Sequence, residues 1–250
     1  MSEVLKQNAV KVDIFTFCQR LPEMVPKYEY YMAWDNIAVL PVTSYDHWWS
    51  KQIKSSTRAM VRKAAKQDVV VRKVEFDDDF VRGMVSIYNE TPIRQNRHFG
   101  HYSKDFEIVK HEFSKHLFRE ELLGVYYKDE LIGFIMLAYT GQSAVLTQII
   151  SKIKYRDKAP NNALIAKAVE CCDQKKVPYL VYARWDTGSS LTEFKRHNGF
   201  EKVSLPRYYI PLTAKGQIVL GLGFHRRLER VIPEGIKARL KKLRILWSQN

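Results

Sequence analysis

The sequence predicts an α+β fold: a mostly antiparallel sheet with one parallel strand pair, helices on both faces, and a basic amphipathic helix at the C-terminal end. Three observations predict it. Residues 122–151 read as three β runs joined by tight turns. A helical run at 161–175 then returns as a strand at 179–184. A chain that leaves a sheet, makes a helix and comes back normally runs parallel to the strand it left. Finally, 250 residues with 46% hydrophobic content suffice for a sizeable core.

Taken in order, 36–42 (NIAVLPV) is a strand ending near Pro41, and Asp46 is placed to cap a helix through Lys66. Trp49, Ile53, Met60 and Ala64 keep the helical period, and Lys51, Lys54, Arg58 and Arg62 share another face. Residues 69–75 (VVVRKVE) form a β-branched strand, and Asp77 to Asp79 open a helix reaching Asn89. Pro92 introduces a polar, aromatic loop, Arg94 to Tyr102, and a helix covers 103–118. The meander follows as strands 122–127, 131–140 and 144–151, turning at Lys128-Asp129-Glu130 and Gly141-Gln142. After helix 161–175 and strand 179–184 come a short helix at 189–197 and paired strands at 200–204 and 207–212. The first 35 residues are not assigned to the sheet.

Charge is concentrated. Lys and Arg number 41 against 27 Asp and Glu, a net +14. Residues 51–73 hold eight basic residues and one acid, and 215–250 hold nine and two, so these windows carry the whole excess. Two cationic stretches on a neutral body point to polyanionic partners: phosphates, nucleic acid or anionic lipid. Cys18, Cys171 and Cys172 exclude a disulfide framework and fit a reducing cytosol. No metal-ligand spacing, signal peptide or membrane-length apolar run is present in the sequence. The expected organisation is one domain over 1–214 and a basic tail over 215–250.

The strand AVLTQIIS, the loop Tyr155 to Asn161, the helix and strand after it, and Phe194-Lys195-Arg196-His197-Asn198-Gly199-Phe200 resemble the GNAT acyltransferase superfamily over residues 120–212. In that superfamily a glycine-rich loop binds the pyrophosphate of an acyl-CoA at a helix N-terminus. Here Ala159 and Asn161 stand at the glycine positions, Pro160 lacks an N–H, and Phe194 stands where many members carry a tyrosine acid. Phe194-Lys195, the basic segment Arg58-x-x-x-Arg62, and the Arg94/Arg97 loop with Tyr102 resemble the FemAB-like branch. That branch transfers an amino acid from aminoacyl-tRNA to an amine of a cell-wall precursor. The resemblance implies a splayed parallel strand pair, Lys195 beside the reacting carbonyl, and a donor of aminoacyl-tRNA or acyl-CoA, with no permanently bound cofactor.

Acyl transfer to an amine passes through an oxyanion, so a site needs hydrogen-bond donors and a proton acceptor. Lys195, Phe194 and Asp186 are the candidate catalytic residues. Arg58, Arg62, Arg94, Arg97, Tyr102, Gln148, Arg156 and Asn161 are candidates for substrate binding. Backbone N–H groups at Gln148 to Ile150 are the expected oxyanion donors. His98 and His101 have the chemistry for proton transfer.

In the tail, Ile236, Leu240, Leu243 and Trp247 share one face of a cationic helix. This fits an anionic membrane surface contacted by residues 236–247, packing on the domain, or tRNA. The functional expectation is an acyl- or aminoacyltransferase acting on an amine of a phosphate-bearing, lipid-linked cell-envelope substrate, at the inner membrane face. The alternatives are an acyl-CoA-dependent N-acetyltransferase acting on an amino sugar, and a non-catalytic nucleic-acid or anionic-surface binder.

Overall fold

The computed structural model describes residues 12–95, 97–115, 120–186 and 188–223. Its strands and helices are, in chain order, β1 (Ile14–Cys18), β2 (Tyr31–Pro41), α1 (Ser55–Lys66), β3 (Val70–Val74), α2 (Asp78–Tyr88), the two-residue strands β4 (Ile93–Arg94) and β5 (Arg97–His98), and α3 (Phe106–Phe113). Then follow β6 (Glu120–Tyr127), β7 (Glu130–Thr140), β8 (Ser143–Ser151), α4 (Pro160–Gln174), β9 (Tyr179–Arg184), α5 (Ser190–His197), β10 (Glu201–Pro211) and α6 (Ala214–Gly221). Short helical turns lie at Tyr45–His47, Trp48–Gln52 and Ile153–Lys158. None of the described helices is long and apolar enough to cross a membrane.

The chain divides into two compact units, 36–203 and the joined ends 1–35 with 204–250. In the larger unit the strand order is β2-β9-β8-β7-β6-β3. The pairing is antiparallel except between β8 and β9, the expected parallel pair. One face carries α1 and α4 over Leu40, Trp48, Ile135, Leu164 and Leu180; the other carries α2 and α3 over Phe80, Met84, Tyr88, Phe134 and Met136. Burial on both sides explains why β7 reads as an unbroken apolar run instead of an alternating one.

Two bulges set which side chain faces which helix layer. Val125 pairs with Gly133 and Tyr126 with Leu131, so Ile132 is an extra residue in β7. Met136 pairs with Gln148 and Leu137 with Leu146, so Thr147 is extra in β8. Each insertion reverses the in–out phase. Thus Leu146 and Ile149 both meet the α4 layer, whereas Ile150 belongs to the α2 layer.

The helix expected from Asp46 to Lys66 is broken. Ser44, not Asp46, is the cap, accepting the His47 N–H. The chain turns extended at Ile53 before α1 begins. The inward residue is Trp48, fully buried, with its indole N–H donating to Asn198 O at 3.0 Å; Met60 points to solvent. The expected strand pair at 200–204 and 207–212 is instead one strand, β10. No turn chemistry separates its halves, and it runs straight through Pro206.

In the smaller unit β10 pairs antiparallel with β1, from Ile14–Pro211 to Cys18–Arg207. This puts part of the unassigned N-terminal segment into a sheet. Arg207 grips Asp35 through Nε and Nη2, both onto Oδ2 at 2.9 and 2.7 Å. α6 packs so closely on Asp13 that a Cβ on Gly216 would lie 2.0 Å from the Asp13 carbonyl oxygen. The tail helix expected at 236–247 lies outside the described residues.

Candidate active site

The parallel ladder is short. Ser143, Ala144 and Val145 pair with Tyr179, Leu180 and Val181, and pairing stops there. Both strands bulge immediately beyond that point. Thr147 is the extra residue in β8. On the far side of β9, Ile37 pairs with Arg184 and Val39 with Val181, so β9 has two residues opposite Ala38 alone. One of those two, Ala183, adopts φ of 46°, a left-handed conformation that costs a residue with a Cβ about 1–2 kcal/mol. Bulges bend the strands that carry them, so β8 and β9 part and leave a wedge.

A cavity of about 330 Å³ occupies this wedge. Ile149, Ile150 and Ser151 from β8 line one side; Tyr182, Leu191 and Phe194 line the other. Arg156 stands on the helical turn before α4 and Asn161 at the start of α4, and Arg94, Gln95, His98 and Phe99 reach in from the β4–β5 hairpin. Four sequence-selected residues therefore come together: Arg94, Arg156, Asn161 and Phe194. The Oδ1 of Asn161 and the Nε of Arg94 are buried with no hydrogen-bond partner among the described residues. Two arginines, one imidazole and an unpaired amide oxygen make the cavity polar and cationic.

The walls are held by partly buried ion pairs. Arg94 donates to Ser151 O at 2.9 Å, Ile87 O at 3.0 Å and Glu90 Oε2 at 3.1 Å, and lies over the Phe99 ring. Burial lowers its pKa, which Glu90 partly opposes and Arg156 reinforces. Glu90 also accepts the N–H groups of Ile153 and Lys154, at 2.6 and 2.9 Å, capping the helical turn that carries Arg156. Next to it Lys152, buried, donates to Ser86 Oγ at 2.7 Å and Glu130 Oε1 at 2.6 Å. Tyr155 OH donates to Glu130 Oε2, and Lys154 Nζ lies 3.2 Å from Glu130 Oε1. Burial alone raises the Glu130 pKa, but the bonds from Lys152, Tyr155 and Lys154 outweigh it and bring the carboxyl down to about 2.

That pKa sets an acid limit. A carboxylate held below its ordinary 4.5 contributes stability that is full above pH 4.5 and is lost as pH falls towards 2. Denaturant unfolding measured across that window is expected to show a smaller pH slope for Glu130→Gln than for wild type.

α5, which carries Phe194 and Lys195, is fixed at its C-terminal end. Trp48 bonds Asn198 O, Thr57 Oγ1 bonds His197 O at 2.8 Å, and Asn198 Nδ2 bonds Phe194 O at 2.8 Å. Gly199 closes the helix at φ of 88°, with Phe200 N–H returning to Lys195 O. At the other end Ser189 caps Thr192 N–H.

Lys195 itself is buried and does not line the cavity. Its Nζ donates to Arg184 O at 2.6 Å and lies 4.5 Å from the centre of the Tyr182 ring, which does line it. Burial lowers the ammonium pKa, and Asp186 pulls it back up. Asp186 is exposed, and its carbonyl accepts from Thr192 Oγ1 at 2.5 Å. The structure thus places Lys195 one ring away from the expected contact, and uses the Asp186 main chain as an anchor for α5.

The other selected residues are not on the cavity wall. Arg58 is spent on Trp49 O and Ile53 O, at 3.0 and 2.8 Å, and so braces the break before α1. Arg62 is exposed and 5.5 Å from the Trp49 ring. Arg97 is exposed on the hairpin, and Tyr102 is bound through its backbone to Phe99 O. The bulge turns the Gln148 side chain away, and its Oε1 accepts Tyr88 OH at 2.8 Å. His101 stacks on Tyr88 at 4.7 Å, so only His98 of the two histidines reaches the cavity. Sequence reasoning missed Tyr182 and Leu191 as lining residues. Their one signal is position: each sits at the end of a strand or the start of a helix bordering the parallel pair.

No protein-family profile matches the chain, and no curated protein matches it in sequence. Solved structures do match in fold. FemX superposes with a TM-score of 0.52 at 13% identity, covering 76% of this chain and 65% of FemX. L-PGS from Bacillus licheniformis gives 0.52 at 10% identity, covering 80% and 68%. The C-terminal domain of a putative lysylphosphatidylglycerol synthetase from Agrobacterium fabrum gives 0.51 at 12%, covering 77% and 65%. The chain therefore shares the fold of FemX and L-PGS, the GNAT-like mixed sheet with one parallel strand pair that the sequence predicts.

Proposed function

We propose that this chain is an acyltransferase of the aminoacyl-transferring kind, moving an acyl group from an ester donor to an amine of a phosphate-bearing acceptor. One observation carries the reading: a cationic cavity lies in the wedge between β8 and β9. Within such a wedge, main-chain groups that elsewhere bond a neighbouring strand are released. Along a strand, alternate residues turn their N–H to opposite sides. At least one of Gln148, Ile149 and Ile150 therefore presents an N–H to the wedge, where it stabilises the oxyanion as the amine attacks. Arg156 and Arg94 supply positive charge for the phosphate.

The start of α4 favours an ester donor over an acyl-CoA. Pro160 has no N–H, and the N–H groups of Asn162 and Ala163 both turn onto Ala159 O, at 3.1 and 3.3 Å. At most Asn161 remains among these four residues to bind a pyrophosphate. Ala159 holds φ of 52°, so the glycine-like path is kept without the donors. Aminoacyl-tRNA is the donor this fits, and the cationic window at 51–73 suits its phosphates. A lipid-linked acceptor at the inner membrane face is the cell-envelope setting in which such chemistry belongs, with the 236–247 segment on anionic lipid.

Lys195 acts as a positioning charge behind Tyr182. Incubation with aminoacyl-tRNA and with acyl-CoA, each with a panel of phosphate-bearing amines, tests the reading. Transfer from aminoacyl-tRNA is expected. Lys195→Met is expected to lower kcat by about a hundredfold while KM changes little, since its field acts on developing charge. Transfer only from acyl-CoA overturns the choice of donor. No transfer, with steeply salt-dependent RNA binding, supports the non-catalytic alternative.

A further inference from the structure

The smaller unit holds a loop whose apolar side chains are kept out in water by a dedicated polar clamp. Gln19, buried, donates both amide hydrogens to main-chain carbonyls of the loop, Glu23 O at 2.8 Å and Val25 O at 2.7 Å. Fully buried Tyr208 donates to Gln19 Oε1 at 3.0 Å and accepts the Lys27 N–H at 2.8 Å. Residues 22–30 are all exposed. Val25 is 77% exposed, Met24 50%, and Trp34 53%. Tyr28 and Tyr30, each about half exposed, stack at 6.1 Å, and Tyr28 meets Tyr208 edge-on at 5.2 Å.

Ordering a loop costs conformational entropy, and holding Met and Val in water gains nothing in return within the free protein. The geometry makes sense with a partner present. We infer that this loop is a membrane-insertion element, placing Met24 and Val25 among lipid acyl chains with Tyr28, Tyr30 and Trp34 at headgroup level. The chemistry matches the occupant: an aliphatic tip bordered by Tyr and Trp is the pattern of the bilayer interface.

Charge and continuity argue for the same partner. The Glu23–Lys27 pair leaves the loop without a cationic attraction of its own. The attraction lies in the chain that follows α6, within the +7 segment 215–250, which complements anionic headgroups. α6 is joined to the base of the loop, Gln217 Nε2 donating to Tyr31 OH at 3.1 Å, and it turns Ile218 and Leu222 outward. α6 is thus tied to the base of the loop that carries the aliphatic tip. This inference does not depend on the acyl-transfer reading.

Flotation of the full chain with vesicles tests it. Mixed phosphatidylcholine and phosphatidylglycerol vesicles are compared with pure phosphatidylcholine at low and high salt, the latter screening the basic segment. Wild type is expected to bind the mixed vesicles and to retain measurable partitioning at high salt. The double variant Met24→Asp/Val25→Asp is expected to lose about tenfold or more in partition coefficient at both salts, with an unchanged melting temperature. Ile108→Asp, an exposed apolar residue on α3, is the control and is expected to bind as wild type. Equal partitioning of the double variant and wild type assigns any binding to the charged segment alone and overturns the inference. So does failure of wild type to bind mixed vesicles, or an equal loss in the Ile108 variant.

Discussion

Leu191→Trp is expected to lower acyl transfer by about a hundredfold or more without loss of stability. Leu191 lines the cavity from the first turn of α5 and is only partly buried, so the larger ring enters the wedge rather than the packed core. Opposite it stand Ile149 to Ser151 of β8, beside which the proposed function puts the reacting carbonyl. Displacing a reacting group by about 1 Å costs on the order of a hundredfold, and an indole takes more room than that. Initial rates with a saturating donor, alongside thermal melts, check it. Unchanged turnover in a folded variant means that chemistry happens elsewhere.

The largest effect on stability is expected at Arg94. Its guanidinium satisfies two carbonyls and Glu90, and side-chain exposure of both ionic partners is only 16%. Arg94→Ala leaves a mostly buried carboxylate whose remaining partners are the Ile153 and Lys154 N–H groups. Removing one member of such a pair costs about 3 kcal/mol or more. Denaturant unfolding is expected to show that loss. Arg94→Lys is expected to recover little of it, because an ammonium cannot reach three acceptors held in a guanidinium's fork. A loss below about 1 kcal/mol, the scale of an exposed ion pair, would show that the network does not hold the cavity wall.

Much of this fold was legible, and the reasons differ by element. The meander carries strong local signals: β-branched runs broken by Lys128-Asp129, both of which take positive φ, and by Gly141 at φ of 57°. The helix Pro160–Gln174 and strand Tyr179–Arg184 were readable because proline marks a helix start and the parallel return is a topological rule. The bulges were not. A residue inserted at Thr147 leaves the apolar run AVLTQIIS looking continuous, yet it decides that Gln148 faces Tyr88 and Ile149 faces the wedge. β1 has no local signal because its partner, β10, lies almost 200 residues away, and β10 reads as two strands because Pro206, which lacks an N–H, interrupts the β pattern.

The site was legible in part for the same reason. Arg94, Arg156, Asn161 and Phe194 meet although they come from three separate segments, and only the family resemblance links them in the sequence. Arg58 looked like one member of a solvent-facing cationic stripe; nothing local tells that its guanidinium turns back onto Trp49 O and Ile53 O. The sequence carries no sign of the depth of Lys195, since whether a lysine on a short helix faces a cavity or a strand-end carbonyl depends on how β9 ends. The bulge at Ala183 settles that, one residue before Arg184, whose carbonyl takes the ammonium.

The most direct test is a crystal structure with an unreactive aminoacyl-ester analogue of the donor, in which an amide replaces the ester. The expected result is density for the acyl carbonyl between the β8 main chain at Gln148–Ile150 and the rings of Tyr182 and Phe194, with a phosphate near Arg156. An analogue bound at another surface, with the gap beyond Val145 and Val181 left empty, would contradict the assignment of that gap as the place of acyl transfer.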